Sequence, residues 1–290
     1  MCKNNTVELN MSSEPLNIEG HALPQLVEAI KNIAKQAGKK ILEVYESDNF
    51  NVEQKADDSP LTRADMAAHN IIVTSLQQLT SIPILSEESA NIDFSERESW
   101  SRYWLVDPLD GTREFIKRNG EFTVNIALID NHNVILGVVY VPVTGISYYA
   151  AQGLGAFKQM PDQTAQAIKV RSVDMNKLIV AGSRSHAGSK LKSFIAGLNT
   201  EVDLISIGSS LKSCLVAEGQ ADIYPRFGPT SEWDTAAAQC VVEQAGGYLT
   251  DLNLQPLRYN TKDSLLNPHF LVFGDNTPAW ADYLAKVETE

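Results

Sequence analysis

Cysteine is scarce in this chain: three in 290 residues, at Cys2, Cys214 and Cys240. They are too few for a disulfide framework and too widely spaced for a CxxC zinc site, which fits a reducing compartment. Long apolar runs are missing as well. None approaches the ~18 residues of a membrane-spanning helix. The first twenty residues are polar, with Asn, Ser and Glu but no apolar stretch. No secretory signal is expected there, and 1–21 reads as a flexible extension. Positive charge is the third shortage. There are 24 Lys and Arg against 36 Asp and Glu, a formal net charge of −12. A module that grips a nucleic-acid polymer needs a basic excess, so that class of partner is excluded. A small anionic ligand remains open, but local cations must receive it, from side chains or from metal. The expected protein is cytoplasmic and soluble, with peripheral contact to the inner membrane surface as the variant.

What is present is a globular composition, 43% hydrophobic and 21% charged. At about 150 residues per domain the length suggests one large domain or two ordinary ones. Apolar residues at three- and four-residue steps predict helices over 22–45 and 62–79. A short strand over 82–85 runs into Ser86-Glu87-Glu88-Ser89. A buried-type strand over 104–106 stops at Asp107. Alternation and turn residues then predict strands over 122–129, 134–141 and 146–151, an antiparallel meander. Beyond about residue 165 helices and strands alternate: strand 178–182, helix 189–198, strand 204–207, helix 211–218, strand 221–224. Helix 234–245 and strands 248–251 and 270–274 follow, and Thr277-Pro278 opens a last helix. The expected organisation is an α+β unit over 22–165 with an antiparallel sheet, and an α/β unit over 166–290.

The clearest chemical signal is Asp107-Pro108-Leu109-Asp110-Gly111-Thr112 after the apolar strand. Two carboxylates three residues apart at a strand end can converge on one point. Without a cation between them, their repulsion raises one pKa. A hard divalent ion relieves it, and oxygen-only ligands suit Mg²⁺. Gly111 allows close backbone approach, and the helical stretch begun by Thr112 offers free N–H groups to an anion. The plain structural alternative is a strand ended by an Asx turn. Three further acidic positions are ambiguous one by one. Glu87 reads equally as solvated loop. Asp234 reads as the N-cap of its helix. Asp65 completes a capping box with Thr62.

In order along the chain, these positions form a pattern. The sequence resembles the lithium-sensitive, Mg²⁺-dependent phosphatase superfamily that includes inositol monophosphatase, from about residue 22 to the C-terminus. Two long motifs carry the resemblance: Trp104-Leu-Val-Asp-Pro-Leu-Asp-Gly-Thr112 and Trp233-Asp-Thr-Ala-Ala-Ala-Gln-Cys-Val-Val-Glu-Gln-Ala-Gly-Gly247. The resemblance implies a layered αβαβα sandwich of the inositol monophosphatase/fructose-1,6-bisphosphatase type, with the site between the two halves. It implies that Glu87, Asp107 and the Leu109 carbonyl hold one Mg²⁺, and that Asp107, Asp110 and Asp234 hold a second. A third, weaker metal is implied near Glu87. Asp65 and Thr112 would orient and help deprotonate the attacking water, and the Gly111 and Thr112 amides would hold a phosphate oxygen. The implied reaction is in-line hydrolysis of a phosphate monoester with no covalent intermediate. Two Mg²⁺ ions would reverse the local sign of an acidic protein.

Within the superfamily, residues 111–128 are close to the bacterial 3′(2′),5′-bisphosphate nucleotidase branch, except that Arg113 stands where that branch commonly has Lys. The exchange keeps the charge and changes the geometry. Residues 55–65, Gly208-Ser209-Ser210-Leu211-Lys212 and residues 224–232 match the same branch. A nucleoside bisphosphate carries a second phosphate remote from the scissile one. Ser209 and Lys212 lie at a strand-to-helix transition, and Arg226 offers a planar fork. The plain alternatives are a surface helix lysine and an ordinary salt bridge. Residues 182–186 are expected to line the adenosine side, with His186 as a solvated loop residue the alternative. The expected substrate is adenosine 3′,5′-bisphosphate, cleaved to AMP and phosphate, with 3′-phosphoadenylyl sulfate second. The nearest alternative is an inositol monophosphatase-like or sugar-phosphate phosphatase. A non-catalytic metal or nucleotide sensor is the alternative from another class. The sequence does not specify the oligomeric state.

Overall fold

The computed structural model describes residues 16–47, 53–54, 60–183, 189–276 and 280–284. A two-strand hairpin, β1 (Asn17–Ile18) with β2 (His21–Ala22), opens the described chain and buries Ile18. Helix α1 (Leu23–Tyr45) has Pro24 in its first turn and sinks Leu26, Ile30, Ala34, Ala37 and Ile41 on one face. The short pair β3 (Glu53–Gln54) and β4 (Pro60–Leu61) leads to α2 (Arg63–Leu79), capped by Thr62. Then come β5 (Ile84–Ser86), a 3₁₀ turn at Glu87–Ser89, α3 (Phe94–Arg97), β6 (Arg102–Asp110) and α4 (Thr112–Ile116). Strands β7 (Thr123–Asp130), β8 (Asn133–Val141), β9 (Ile146–Ala151), β10 (Gly155–Gln159) and β11 (Gln166–Ile168) complete a seven-stranded sheet. Its order is β11-β10-β9-β8-β7-β6-β5, antiparallel except for the parallel pair β5–β6.

The remaining elements are β12 (Lys177–Ser183), α5 (Ser189–Gly197), β13 (Glu201–Ile207), α6 (Leu211–Ala217), β14 (Ile223–Arg226) and α7 (Glu232–Gln244). Strands β15 (Tyr248–Asp251) and β16 (Phe270–Phe273) and helix α8 (Trp280–Leu284) follow. The second sheet has five strands in the order β13-β12-β14-β16-β15 and mixes parallel and antiparallel pairs.

Strand periodicity builds the layers. Along β6, Trp104 and Val106 face a core shared with α1 and α2, whereas Tyr103 and Leu105 face the other way. That second core holds α6 and α7 and reaches the near face of the five-stranded sheet at Ala181, Tyr224 and Val272. A third core, with Phe194, Leu198, Trp280 and Leu284, covers the sheet's far face. The result is the expected αβαβα sandwich. Two glycines set how tightly it closes. A Cβ on Gly137 of β8 would lie 2.2 Å from the Ala237 carbonyl of α7, and one on Gly38 of α1 would lie 2.4 Å from the Tyr140 ring. The alanine-rich α7 fits between the sheets because Ala236, Ala237 and Ala238 keep it thin.

Three details depart from the sequence reading. Strand β6 does not stop at Asp107 but runs to Asp110, with its register against β7 shifted between those residues. A bulge accommodates Pro108, which has no N–H for a regular ladder. Helix α7 begins earlier than expected: Ser231 is its N-cap, and Asp234 sits at the third helical position. Strands β10 and β11 were not expected. No described helix is long and apolar enough to cross a membrane.

Candidate active site

The bulge at the end of β6 and the first turn of α7 bring Asp107, Asp110 and Asp234 together, with one oxygen of each within 4.8 Å of the others. Each carboxylate is oriented by a backbone amide. The Leu109 N–H donates to Asp107 Oδ1 at 3.0 Å, the Ser210 N–H to Asp110 Oδ2 at 2.7 Å, and the Ser231 N–H to Asp234 Oδ2 at 2.9 Å. The Asx turn at Asp107 and the capping contact at Asp234 are therefore both present, and they aim the acids rather than replace their convergence.

Asp110 is the best supported of the three. Its Oδ2 also accepts from the Ser210 hydroxyl at 2.8 Å, and from Thr123 Oγ1 and Asn125 Nδ2 at 3.4 Å. Burial still raises its pKa, against the pull of Lys212 and the Ser210 donors. Asp107 is in a harsher place. Burial, then repulsion from Glu87, Asp110 and Asp234, pushes its carboxyl well above the ordinary carboxylate range. Burial, Asp110 and Glu87 do the same to Asp234. Glu87, on the 3₁₀ turn after β5, thus belongs to the same field although it lies outside the tight triad. A set of oxygen-only donors that repel one another fits a hard divalent cation, which can replace the protons that burial otherwise retains.

Asp65 and Thr112 meet beside this cluster. Asp65 Oδ2 accepts from the Thr62 N–H at 2.8 Å and the Thr62 hydroxyl at 2.5 Å, closing the capping box of α2. Its Oδ1 accepts from Thr112 Oγ1 at 3.3 Å, and that hydroxyl is 3.4 Å from the Leu109 carbonyl. Asp65 is buried at 1% exposure, so it serves the helix start and Thr112 at once. Gly111 takes φ +96° to turn the chain from β6 into α4, a left-handed conformation that glycine adopts without strain.

A cleft of about 140 Å³ runs from the acidic cluster toward cations of the other half. It is lined by Asp110, Gly111 and Asp234 together with Ser209, Lys212, Tyr224 and Arg226. Asp65, Glu87, Asp107, Leu109 and Thr112 do not line it. Lys212 is not the surface residue of the plain alternative. It is 5% exposed, its Nζ donates to the Ser209 carbonyl at 2.6 Å, and it lies 5.3 Å from the Tyr224 ring centroid. Burial lowers its pKa to about 8, against the opposing pull of Asp110. Arg226 donates from Nη2 to the Pro229 carbonyl at 3.0 Å. Its buried Nε has no hydrogen-bond partner among the described residues. Gly208 is tight: a Cβ would come within 2.7 Å of Glu114 Cγ and of the Glu121 carbonyl. Ser209 follows with φ +46°. Residues 184–186, part of the segment expected on the adenosine side, and 55–59, part of the segment matching the nucleotidase branch, lie outside the described residues.

Sequence reasoning missed Ser210, Thr123 and Asn125, the donors that hold Asp110. A signal existed for two of them. Thr123 and Asn125 are fully buried polar positions in an otherwise apolar strand, the kind of residue that needs a partner.

This sandwich, with a convergent acidic cluster between its halves, is the architecture of the inositol monophosphatase family. The model of that family matches residues 23–287, and the chain belongs to it. Within the family it is similar to the 3′(2′),5′-bisphosphate nucleotidase CysQ of Escherichia coli strain K12, 49% identical over 249 residues, covering 85% of this chain and 99% of that one. The crystal structure of CysQ from Bacteroides thetaiotaomicron superposes with a TM-score of 0.76 at 44% identity, over 85% of this chain and 97% of its own. The suhB protein of Bartonella henselae, 24% identical, shares the fold with a TM-score of 0.75 over 91% of this chain and 98% of its own.

Proposed function

We propose that the chain is a Mg²⁺-dependent 3′(2′),5′-bisphosphate nucleotidase that hydrolyses the 3′-phosphate of adenosine 3′,5′-bisphosphate, giving AMP and phosphate. The observation that carries this reading is a cleft lined by both charges, the carboxylates of Asp110 and Asp234 and the cations of buried Lys212 and Arg226. A substrate with two phosphates fits it: one phosphate meets cations held by the acids, the other meets the cationic side chains. High identity to CysQ proteins supports the same substrate class. The group 3′-phosphoadenylyl sulfate presents the same 3′-phosphate and is the second substrate.

Asp107, Asp110, Asp234, Glu87 and the Leu109 carbonyl would hold the ions, two or three in number. Bound Mg²⁺ supplies Lewis-acid neutralisation of the phosphate charge and eases deprotonation of water. Thr112, held by Asp65, orients that water and passes its proton toward the Asp65 carboxylate. The oxygen attacks phosphorus in line while the bond to the ribose 3′-oxygen breaks, and the leaving oxygen takes a proton from solvent. The Gly111 and Thr112 amides steady a phosphate oxygen. Lys212, Ser209 and Arg226 hold the 5′-phosphate and so set the distance to the scissile group.

Phosphate release in Mg²⁺, compared between adenosine 3′,5′-bisphosphate and inositol 1-phosphate, tests the substrate. The bisphosphate should be turned over far faster; the reverse order refutes the substrate assignment. Excess Li⁺ or Ca²⁺ should inhibit, and full activity in either refutes the metal arrangement.

A further inference from the structure

Arg97 is an unusual residue for a four-residue helix: a full guanidinium at 1% exposure. It touches neither the acidic triad nor the cleft. It stacks on the Phe94 ring at 4.8 Å and reaches into the long irregular segment between β15 and β16. Nη1 donates to Asn260 Oδ1 at 2.6 Å and to the Lys262 carbonyl at 3.2 Å, and Nη2 donates to the Asp263 carbonyl. Asn260 answers by donating from Nδ2 to the Arg97 carbonyl. The two residues, 163 positions apart, therefore close a reciprocal pair through the Arg97 side chain and its carbonyl.

From there the contacts run to the metal-facing helix. The Asn260 N–H donates to Glu232 Oε2 at 2.9 Å, and Glu232 is the first residue of α7. The Glu232 N–H in turn donates to the Leu265 carbonyl at 2.9 Å. Asn267 Nδ2 grips the Ser231 carbonyl at 2.7 Å and Thr235 Oγ1 at 3.0 Å. Ser231, Glu232 and Thr235, around Asp234, are thus held by the segment that Arg97 anchors. Asp234 itself reaches the cluster from this turn.

Stability alone does not explain the choice of residues. Glu232 Oε1, Arg97 Nε and Tyr103 Oη are buried with no hydrogen-bond partner among the described residues. Incompletely satisfied buried charge is costly, and apolar residues of similar volume commonly replace such groups without loss of stability. Polar groups one layer behind metal ligands commonly tune metal affinity by orienting those ligands.

We propose that Arg97 is a positioning residue for metal binding: through Asn260 and Glu232 it fixes the first turn of α7, and hence the angle at which Asp234 enters the acidic cluster. The proposal rests on the acidic cluster being a cation site, as argued above. It predicts that loss of the guanidinium weakens cation binding more than it weakens the fold.

The test is direct titration of the full chain with Mn²⁺, a hard cation whose free form is read by electron paramagnetic resonance, without any turnover. Arg97→Met should bind Mn²⁺ on the order of 10-fold more weakly than the unmutated protein. Leu198→Ala, in the far core, is the control for general destabilisation and should bind with unchanged affinity. Equal affinity in Arg97→Met and the unmutated protein overturns the proposal, and so does an equal loss in the Leu198→Ala control. If Arg97→Met does not fold, Arg97→Lys carries the same test, because it keeps the buried stem and charge but loses the fork. Unchanged affinity there overturns the proposal equally. Failure of the unmutated chain to bind Mn²⁺ overturns the cation site itself, and the two failures are told apart by that measurement.

Discussion

The two ends of the cleft are built from opposite charges and by opposite means. At the acidic end Asp107 on the bulged strand and Asp234 at the helix start are each aimed by an amide close in sequence, and Asp110 by the distant Ser210. The charges of that end repel, and burial with the neighbouring acids raises the Asp107 carboxyl, an arrangement that suits a cation. The cationic end is assembled by topology, with Lys212 on helix α6 and Arg226 on strand β14 brought to one cleft by the fold. Lys212 is already solvated by backbone carbonyls, so it waits for an anion without depending on one. The difference teaches that the acids repel one another in the bare chain, while Lys212 already has its carbonyl partners.

Breaking the acidic end should cost most. Asp107→Asn or Asp234→Asn is expected to lower kcat on the order of 10³-fold, since each removes charge aimed at the reacting centre. In chelator the same variants should melt higher than the unmutated protein, because a repelling charge is gone. A loss of activity under about tenfold would mean that these acids serve structure instead.

The cationic end should respond through binding. Lys212→Met is expected to raise KM for the bisphosphate about 10- to 100-fold, the usual range for a charged hydrogen bond, while a monophosphate substrate changes less. The Lys212 charge is present below its pKa of about 8 and lost above it, so KM for the bisphosphate should climb as pH rises through 8. Equal effects on both substrates would erase the distinction between the ends.

Metal removal sharpens the contrast at the level of stability. In chelator, the folded pKa of Asp107 and Asp234 is raised above the unfolded one. Between those values the native state binds more protons than the unfolded state, so stability falls as pH rises above the ordinary carboxylate range. Mg²⁺ should flatten that slope, because the ion replaces the retained protons. Melting curves from pH 5 to 8, with and without Mg²⁺, read it directly; identical slopes would leave the acidic end without its cation. The smallest effect is expected at Arg113, which is exposed. Arg113→Lys should leave kcat/KM within about twofold, in line with surface substitutions in general.

Much of the acidic end was legible in the sequence because its signals are local. A strand that ends in two acids, and a helix start with an acid three positions on, are visible in a few residues. The layer order was implied by the family resemblance, whereas periodicity alone marked out α1, α2 and the meander. The extent of β6 was not legible, because Pro108 reads as a stop until β7 is seen to pair across the bulge. Asp234 was read as a cap because the sequence does not distinguish a cap from a third-position acid that bonds back to one. The partners of Asp110 escaped because Ser210 lies 100 positions away, and only the closed sandwich brings its amide there. Arg97 escaped for a similar reason, since an arginine in a polar stretch looks solvated until the segment around Asn260 covers it.

The three amides of Leu109, Ser210 and Ser231 each tether one oxygen of a triad carboxylate. Any guest that tugs on one of these carboxylates is therefore felt at a backbone nitrogen. These three sites give spectroscopists a built-in set of reporters, one on each loop or helix start that frames the chamber. Nuclear magnetic resonance could follow them separately, and so reveal the order in which ions arrive.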